Sequence, residues 1–173
     1  SVAFAVYDRA VFEKVGLLDE QLVRNQDDEL HYRMAAAGFR MLLIPDLEVT
    51  YYVRNSLRRL FSQYSQYGFY KPLVLRKVRS GLRLRHLVPM VFVLYLMTVF
   101  LPLLAFFPGA GAAAGWLWAV WAPLAVYVLL VAGVSLGTDA PWGERVRMPL
   151  VFPTLHVAYG TGFLRGLPAL WKP

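Results

Sequence analysis

The chain has 173 residues, of which 58% are hydrophobic and 17% charged, with a formal net charge of +7 and a mean hydropathy of +0.46. This composition excludes a disordered chain and is too apolar for an ordinary soluble domain. The sequence has no cysteine, which excludes disulfides, thiolate catalysis and cysteine-ligated metal sites.

Charge is distributed unevenly and divides the sequence into four segments. Residues 1–53 carry nine acids and five bases, and residues 54–86 carry nine bases and no acid. Residues 87–138 contain no Asp, Glu, Lys, Arg or His, and residues 139–173 form a weakly basic tail. A basic band beside an apolar block is typical of a protein that meets anionic headgroups, so we expect anionic membrane lipids as partners and no nucleic acid.

The first segment is predicted to contain two short helices. Asp8 can cap a helix that runs through Val15, because its side chain can accept a bond from a free backbone amide, and Gly16 supplies a left-handed stop. A second helix is predicted to begin near Asp27 or Asp28 and to end before a glycine at position 38.

The second predicted helix has one apolar face and a charged pair. Leu30, Met34 and Ala37 share a face at helical spacing. Glu29 stands four residues before Arg33, the spacing at which opposite charges on a helix interact.

Two extended runs follow the second helix. Residues 39–44 are apolar and stop at Pro45 and Asp46, which predicts a buried strand, and residues 47–53 predict another strand or an extended segment. Helices that alternate with strands indicate an α/β layer. Because about fifty residues are too few to close such a layer, we expect further strands upstream.

The basic segment is predicted to begin with an amphipathic helix from position 55 or 56 toward Tyr67. Its apolar stripe lies opposite Arg58 and Arg59 and comprises Leu57, Leu60, Phe61 and Tyr64. An apolar stripe beside arginines, just before an apolar block, is typical of a helix in the membrane interface. Packing on the soluble part is the alternative, and both arrangements can hold together.

The apolar block is long enough for a transmembrane hairpin. Residues 87–107 and 114–136 each suffice to cross a hydrocarbon core of about 30 Å, and residues 108–111 form an uncharged turn between them. The alternative is a buried hairpin in a soluble core. The bases that flank both spans place both ends on the cytoplasmic side. The apolar tail at 148–164 is either a third, short span or an interfacial helix, and we favour the interface.

Two polar clusters are candidates for chemistry. Consecutive acids at 27–29 either cap the helix and favour its dipole or include a general base, since a carboxylate at a helix start stays ionised. Amides and phenols at 63–68 either form plain helix surface or bind a sugar or a diphosphate. The three histidines lack the spacing of a helical metal pair.

Residues 9–20, 25–34 and 38–40 resemble the acceptor-side half of family 2 glycosyltransferases, which have the α/β GT-A fold. The family pattern Glu-Asp-x-Asp/Glu-Leu-x-x-Arg matches residues 26–33, with Gln26 in place of the first glutamate. The resemblance implies that Asp27 is the catalytic base, that Glu29 is the second acid and that Arg33 is the following arginine.

A second resemblance lies in the basic segment and the tail. Gln63, Gln66 and Tyr67 stand where processive members carry Gln-x-x-Arg-Trp, so the arginine and tryptophan are replaced. Residues 51–57, 63–68 and 156–166, with the hairpin between them, are similar to the succinoglycan-type subfamily of bacterial exopolysaccharide synthesis.

The resemblance implies an inverting transfer of sugar from a nucleotide-sugar donor to a lipid-linked or polysaccharide acceptor at the inner face of the bacterial cytoplasmic membrane. Asp27 is expected to deprotonate the acceptor. Asp28, Glu29, Arg33, Gln63, Gln66 and Tyr67 are expected to bind the acceptor or the diphosphate.

The family also uses a divalent cation, Mg²⁺ or Mn²⁺, held by an Asp-x-Asp motif on its nucleotide-binding half. This chain lacks that motif. We therefore expect it to be the C-terminal part of a longer enzyme and to be inactive alone. The alternative is a non-catalytic membrane module that docks or scaffolds a partner, in which Asp27 only caps a helix.

Overall fold

The computed structural model describes residues 4–78, 83–106 and 114–170, and all regular secondary structure in these ranges is helical. The helices, in chain order, are α1 (Arg9–Val15), α2 (Gln26–Ala36), α3 (Leu57–Lys77), α4 (Val88–Phe106), α5 (Ala114–Gly137), α6 (Trp142–Arg145) and α7 (Met148–Gly166). One 3-10 helix, Leu84–His86, precedes α4, and another, Leu167–Leu170, follows α7.

The first two helices form as the sequence predicts. The Asp8 carboxylate accepts a bond of 2.9 Å from the Ala10 amide, and Gly16 ends α1 with a φ of 80°. The apolar stripe of α2 packs on α1 through a small cluster of Val11, Leu30 and Met34. The predicted cap of α1 and the contacts of Leu30 and Met34 are therefore confirmed, whereas α2 begins at Gln26, after Asn25, which makes no side-chain cap bond.

Helix α3 runs further than the sequence predicts. Its N-cap is Ser56, as expected, but it continues ten residues beyond Tyr67 to Lys77. Gly68, the residue after the predicted end, lies buried inside the helix, where its missing side chain allows another backbone to approach.

The closest packing in the fold joins α3 to α7. Gly68 faces the Tyr159 carbonyl, while Gly162 faces the Ser65 carbonyl, and a Cβ atom at either glycine would overlap that carbonyl. Small residues at a helix interface allow this backbone contact, as in membrane helix pairs. The tail therefore lies along the basic amphipathic helix.

Among the described residues, α5 is the helix that is long and apolar enough to cross a membrane, over Val120–Gly137. The apolar stretch of α4, Val88–Phe100, is shorter. The Tyr95 hydroxyl joins the two helices by donating to the Val120 carbonyl at 2.5 Å. Of the two predicted spans, the one in α5 thus meets the criteria for a membrane helix, and the one in α4 stays a prediction. The predicted turn at 108–111 lies outside the described residues.

The predicted buried strand at 39–44 is wrong. The segment has no regular secondary structure, and its Leu42 and Leu43 are 86% and 76% exposed. Residues 47–53 are exposed as well. An apolar run forms a buried strand only where a neighbouring strand pairs with it, and the described part of the chain provides none. The α/β class therefore stays a prediction.

Candidate functional site

The N-terminus of α2 lies against the middle of α3, and we call this contact the α2–α3 seam. The Arg24 guanidinium donates from Nε to Gln66 Oε1 at 2.9 Å, and Asn25 Nδ2 donates to the Tyr67 carbonyl at 2.9 Å. Asn25 itself adopts a left-handed conformation, with a φ of 63°. The two polar clusters of the sequence are thus brought together.

A charged pair lies beside these hydrogen bonds. Lys71 Nζ is 2.8 Å from Asp28 Oδ2 and 5.6 Å from the centre of the Tyr32 ring. Burial, and then the negative charge of Asp28, raise the pKa of Tyr159 on α7, so its hydroxyl stays protonated at neutral pH. Asp28, a predicted site residue, is thus paired with Lys71 of the same chain.

The next acid, Glu29, is also paired. Its two carboxylate oxygens accept bonds of 2.7 and 2.8 Å from Arg33, whose guanidinium also donates to the carbonyls of Val15 and Leu17. Such a two-pronged bond is the strong form of the Arg–carboxylate interaction. Glu29 and Arg33 thus hold the loop after α1, and they lie on the α1 side of α2.

Asp27 differs from its two neighbours. It lies half-buried in the first turn of α2, and no cation or hydrogen-bond donor among the described residues contacts its carboxylate. Burial, and then the charge of Asp27, raise the pKa of Tyr7, whose hydroxyl lies 3.0 Å from His31 Nε2. Among the three consecutive acids, Glu29 and Asp28 pair with Arg33 and Lys71. Asp27 is therefore the candidate to accept a proton.

Gln63 lies one helical turn before Tyr67. Its Nε2 donates to the Tyr67 hydroxyl at 2.8 Å. The sequence prediction missed Lys71, although Gln63, Tyr67 and Lys71 recur at a spacing of four and share a helix face. Because the predicted helix ends near Tyr67, the prediction does not extend this spacing to the buried Lys71.

The described residues do not fit a metal ion. They contain no group of three or more His, Asp or Glu placed to hold one. Asp28 and Glu29 already bind Lys71 and Arg33, which leaves Asp27 alone as a carboxylate donor. The divalent cation that the resemblance implies, held by a motif that this chain lacks, stays a prediction.

Comparison with known proteins finds two curated relatives. The chain is 30% identical over 160 residues to the succinoglycan biosynthesis protein ExoA of Rhizobium meliloti. It is 22% identical over 168 residues to the dolichyl N-acetyl-α-D-glucosaminyl phosphate 3-β-D-2,3-diacetamido-2,3-dideoxy-β-D-glucuronosyltransferase of Methanococcus voltae. No family model and no solved structure matches the chain.

The alignments cover 90% and 96% of this chain but 44% and 47% of the two relatives. The chain thus spans about half the length of the curated relatives that it matches. The two relatives confirm the resemblance to exopolysaccharide-type glycosyltransferases that the motifs predict.

Proposed function

We propose that this chain, which is similar to exopolysaccharide-type family 2 glycosyltransferases, forms the acceptor side of a membrane-bound inverting transferase. The observation that carries the proposal is the position of Asp27. Its carboxylate stands at the start of α2 without a cation partner among the described residues, while Lys71 and Arg33 take up the two acids that follow.

In the proposed reaction, Asp27 accepts the proton of an acceptor hydroxyl as the hydroxyl oxygen attacks the anomeric carbon of the donor sugar. A new carbon–oxygen bond forms on one face, and the bond to the nucleotide diphosphate breaks on the other, which inverts the anomeric centre. General-base catalysis of this kind contributes about 10²–10⁴-fold to a rate.

The remaining residues of the seam act by position. Lys71 neutralises Asp28 and holds α2 against α3, beside the Asp27 carboxylate. Gln63, Gln66 and Tyr67 offer amide and phenol groups on the facing helix for the acceptor. A Mg²⁺ or Mn²⁺ ion would neutralise the leaving diphosphate on a part of the enzyme outside this chain.

The same proposal assigns the membrane topology. Helices α4 and α5 cross the bacterial inner membrane, the helices before them lie on the cytoplasmic side, and α7 lies in the interface along α3. A reporter fused at the C-terminus tests this arrangement, because two spans leave the tail inside and three place it outside.

The test of function is Asp27→Asn in the full reading frame that contains this chain. Membranes that carry the variant are supplied with radiolabelled nucleotide sugars and membrane lipid extract, and incorporation into lipid is measured. We expect a loss of at least about a hundredfold. The matched control is Asp46→Asn, an equivalent change in the exposed segment between α2 and α3.

Near-normal incorporation by Asp27→Asn would refute the assignment of the base. Restoration of polysaccharide in a deletion strain by the same variant would favour a scaffold role. We also expect the 173-residue chain alone to show no turnover.

A further inference from the structure

We propose that the hydrogen bond between Tyr127 and His156 is a positioning contact, which sets the place of the α2–α3 seam relative to the membrane helices. The proposal rests on the proposed function and adds two residues to it. The Tyr127 hydroxyl, on α5, lies 2.9 Å from His156 Nδ1, on α7. Both residues lie outside the seam, and both act on it through the packing of α7.

The pair lies where three apolar helices meet. The Phe92 ring of α4 is centred 4.7 Å from the Tyr127 ring and 6.0 Å from the His156 ring, so each of the three helices contributes one ring. Tyr127 stands inside Val120–Gly137, the stretch of α5 that is long and apolar enough to cross a membrane. A polar group inside such a stretch is costly unless a partner satisfies it, and His156 is that partner.

The turn of α7 that carries His156 also contacts α3 and α4. Three residues on, the Tyr159 carbonyl lies against Gly68 of α3, and a Cβ atom at that glycine would overlap it. The next residue, Gly160, lies equally close to the Pro89 carbonyl at the start of α4. Little more than one turn of α7 therefore joins α5, α3 and α4.

The α3 side of this junction is the seam itself. Gly68 follows Tyr67, whose carbonyl accepts the bond from Asn25, and it precedes Lys71, the partner of Asp28, by three residues. The backbones of α3 and α7 touch here without side chains between them, and close-packed interiors transmit displacement. A shift of α7 against α5 should therefore carry the seam with it.

The placement of the seam matters because the proposed function takes an acceptor at the membrane face. The distance between the seam and the membrane helices then decides whether the acceptor hydroxyl reaches the Asp27 carboxylate. A misplacement of about 1 Å can cost about a hundredfold in rate. In the same proposal the donor is held on a part of the enzyme outside this chain, so the KM for the nucleotide sugar should not depend on the pair.

The first experiment measures transfer by the full-length protein in nanodiscs, with the radiolabelled nucleotide sugars and lipid extract of the functional test. Tyr127→Phe keeps the ring against Phe92, and it should lower the maximal rate about threefold to tenfold without changing the donor KM. His156→Leu should do the same, and the double variant should be no worse than either, since all three remove one bond. His156→Asn keeps a polar atom at the Nδ1 position and should restore most of the rate.

The matched control is Tyr95→Phe. The Tyr95 hydroxyl donates to the Val120 carbonyl, so this variant also removes one hydroxyl bond from the apolar helices, but the bond joins α4 to α5 and does not involve α7. It should leave the maximal rate unchanged. An equal loss of rate in Tyr95→Phe and Tyr127→Phe, or a normal rate in Tyr127→Phe, would overturn the proposal.

The second experiment needs no activity. This chain has no cysteine, so two spin labels can be attached at Arg58→Cys on α3 and Leu130→Cys on α5, which are both exposed, once any cysteine elsewhere in the full reading frame is replaced by serine. Tyr127→Phe should shift or broaden the distribution of distances between the labels, whereas Tyr95→Phe should not. A distribution unchanged by Tyr127→Phe would show that the bond does not position α3.

The two proposals fail in different ways. Asp27→Asn should abolish transfer and keep the distance distribution, because Asp27 does not contact α5 or α7. Normal transfer by Tyr127→Phe, together with loss of transfer in Asp27→Asn, would refute the positioning contact and leave the function standing. A distance that responds to Tyr127→Phe in a full-length protein without any transfer would refute the function and retain the link between α5 and the seam.

Discussion

The Lys71 ammonium of α3 lies 2.8 Å from the Asp28 carboxylate of α2, and their side chains are 5% and 27% exposed. Lysine is almost never buried unless it is paired. This pair therefore fixes the distance between the two helices at the position where the candidate base, Asp27, enters the site. A second lysine, Lys77, contacts Asp19 and Gln21 and fastens the loop before α2 to the same helix.

Lys71→Met should destabilise the protein by about 2–3 kcal/mol, because it leaves a partly buried carboxylate without its cation. This loss of stability is smaller than for a fully buried pair, because Asp28 keeps some contact with water. Thermal unfolding of the full chain in detergent measures the loss, and Lys71→Arg should recover part of it.

A positioning role for Lys71 requires a further readout. Because Lys71 holds α2 against α3, the rate of transfer should fall in Lys71→Met and should recover in Lys71→Arg, measured at a temperature at which both variants are folded. An unchanged rate in Lys71→Met would show that Lys71 serves packing alone.

Arg33→Gln should cost about 3 kcal/mol, because Glu29 would remain buried without its two-pronged partner and the loop after α1 would lose its donors. Arg9→Gln is the matched control, since the Arg9–Glu13 pair also lies four residues apart but is 91% and 64% exposed. It should change stability by at most about 0.5 kcal/mol. Equal effects of the two changes in denaturant titrations would contradict the structural role of Arg33.

Local signals in the sequence are sufficient for α1 and α2. Caps, a helical stripe and an i, i+4 pair act within one turn or two, so Asp8 and the Glu29–Arg33 pair form as predicted. The same reasoning found both polar clusters but not their contact, because Arg24 and Gln66 are 42 positions apart and a single sequence carries no signal for such a pairing.

Two errors share one cause. The prediction ends α3 near Tyr67, and it makes residues 39–44 a buried strand. A glycine can end a helix or admit a neighbouring helix, and an apolar run can be buried only against a partner. In both cases the outcome depends on what lies opposite, which is α7 for Gly68 and nothing in the described part of the chain for residues 39–44.

The stability of the protein should fall with acidification below about pH 6.5. Burial, and then the positive charge of Lys71, lower the pKa of His86 below the value of 6.5 for a free histidine. Arg85 and Arg83 lower it further, and Asp28 opposes them. The unfolded chain then binds more protons than the folded chain, so the contribution is complete above 6.5 and is lost as pH falls through the lower folded pKa.

His86→Gln should flatten the profile of unfolding temperature against pH below about pH 6.5, so the measurement compares the slopes of the two profiles and not their absolute stabilities. Lys71→Met removes the second cause of the shift and should flatten it in part. A slope in His86→Gln equal to that of the unmodified protein would assign the acid sensitivity to another group.

Gly162→Ala should separate α3 from α7 and cost about 1–3 kcal/mol, because the added methyl group would overlap the Ser65 carbonyl. Gly133→Ala is the matched control: it also lies inside a helix, α5, but an added Cβ there meets no atom within 4 Å. Since Ala is the better helix former, this control should be neutral or slightly stabilising. The α2–α3 seam is built on α3, so Gly162→Ala should also lower the transfer rate, whereas Gly133→Ala should not. Equal unfolding temperatures for the two variants would mean that α3 and α7 do not pack backbone to backbone.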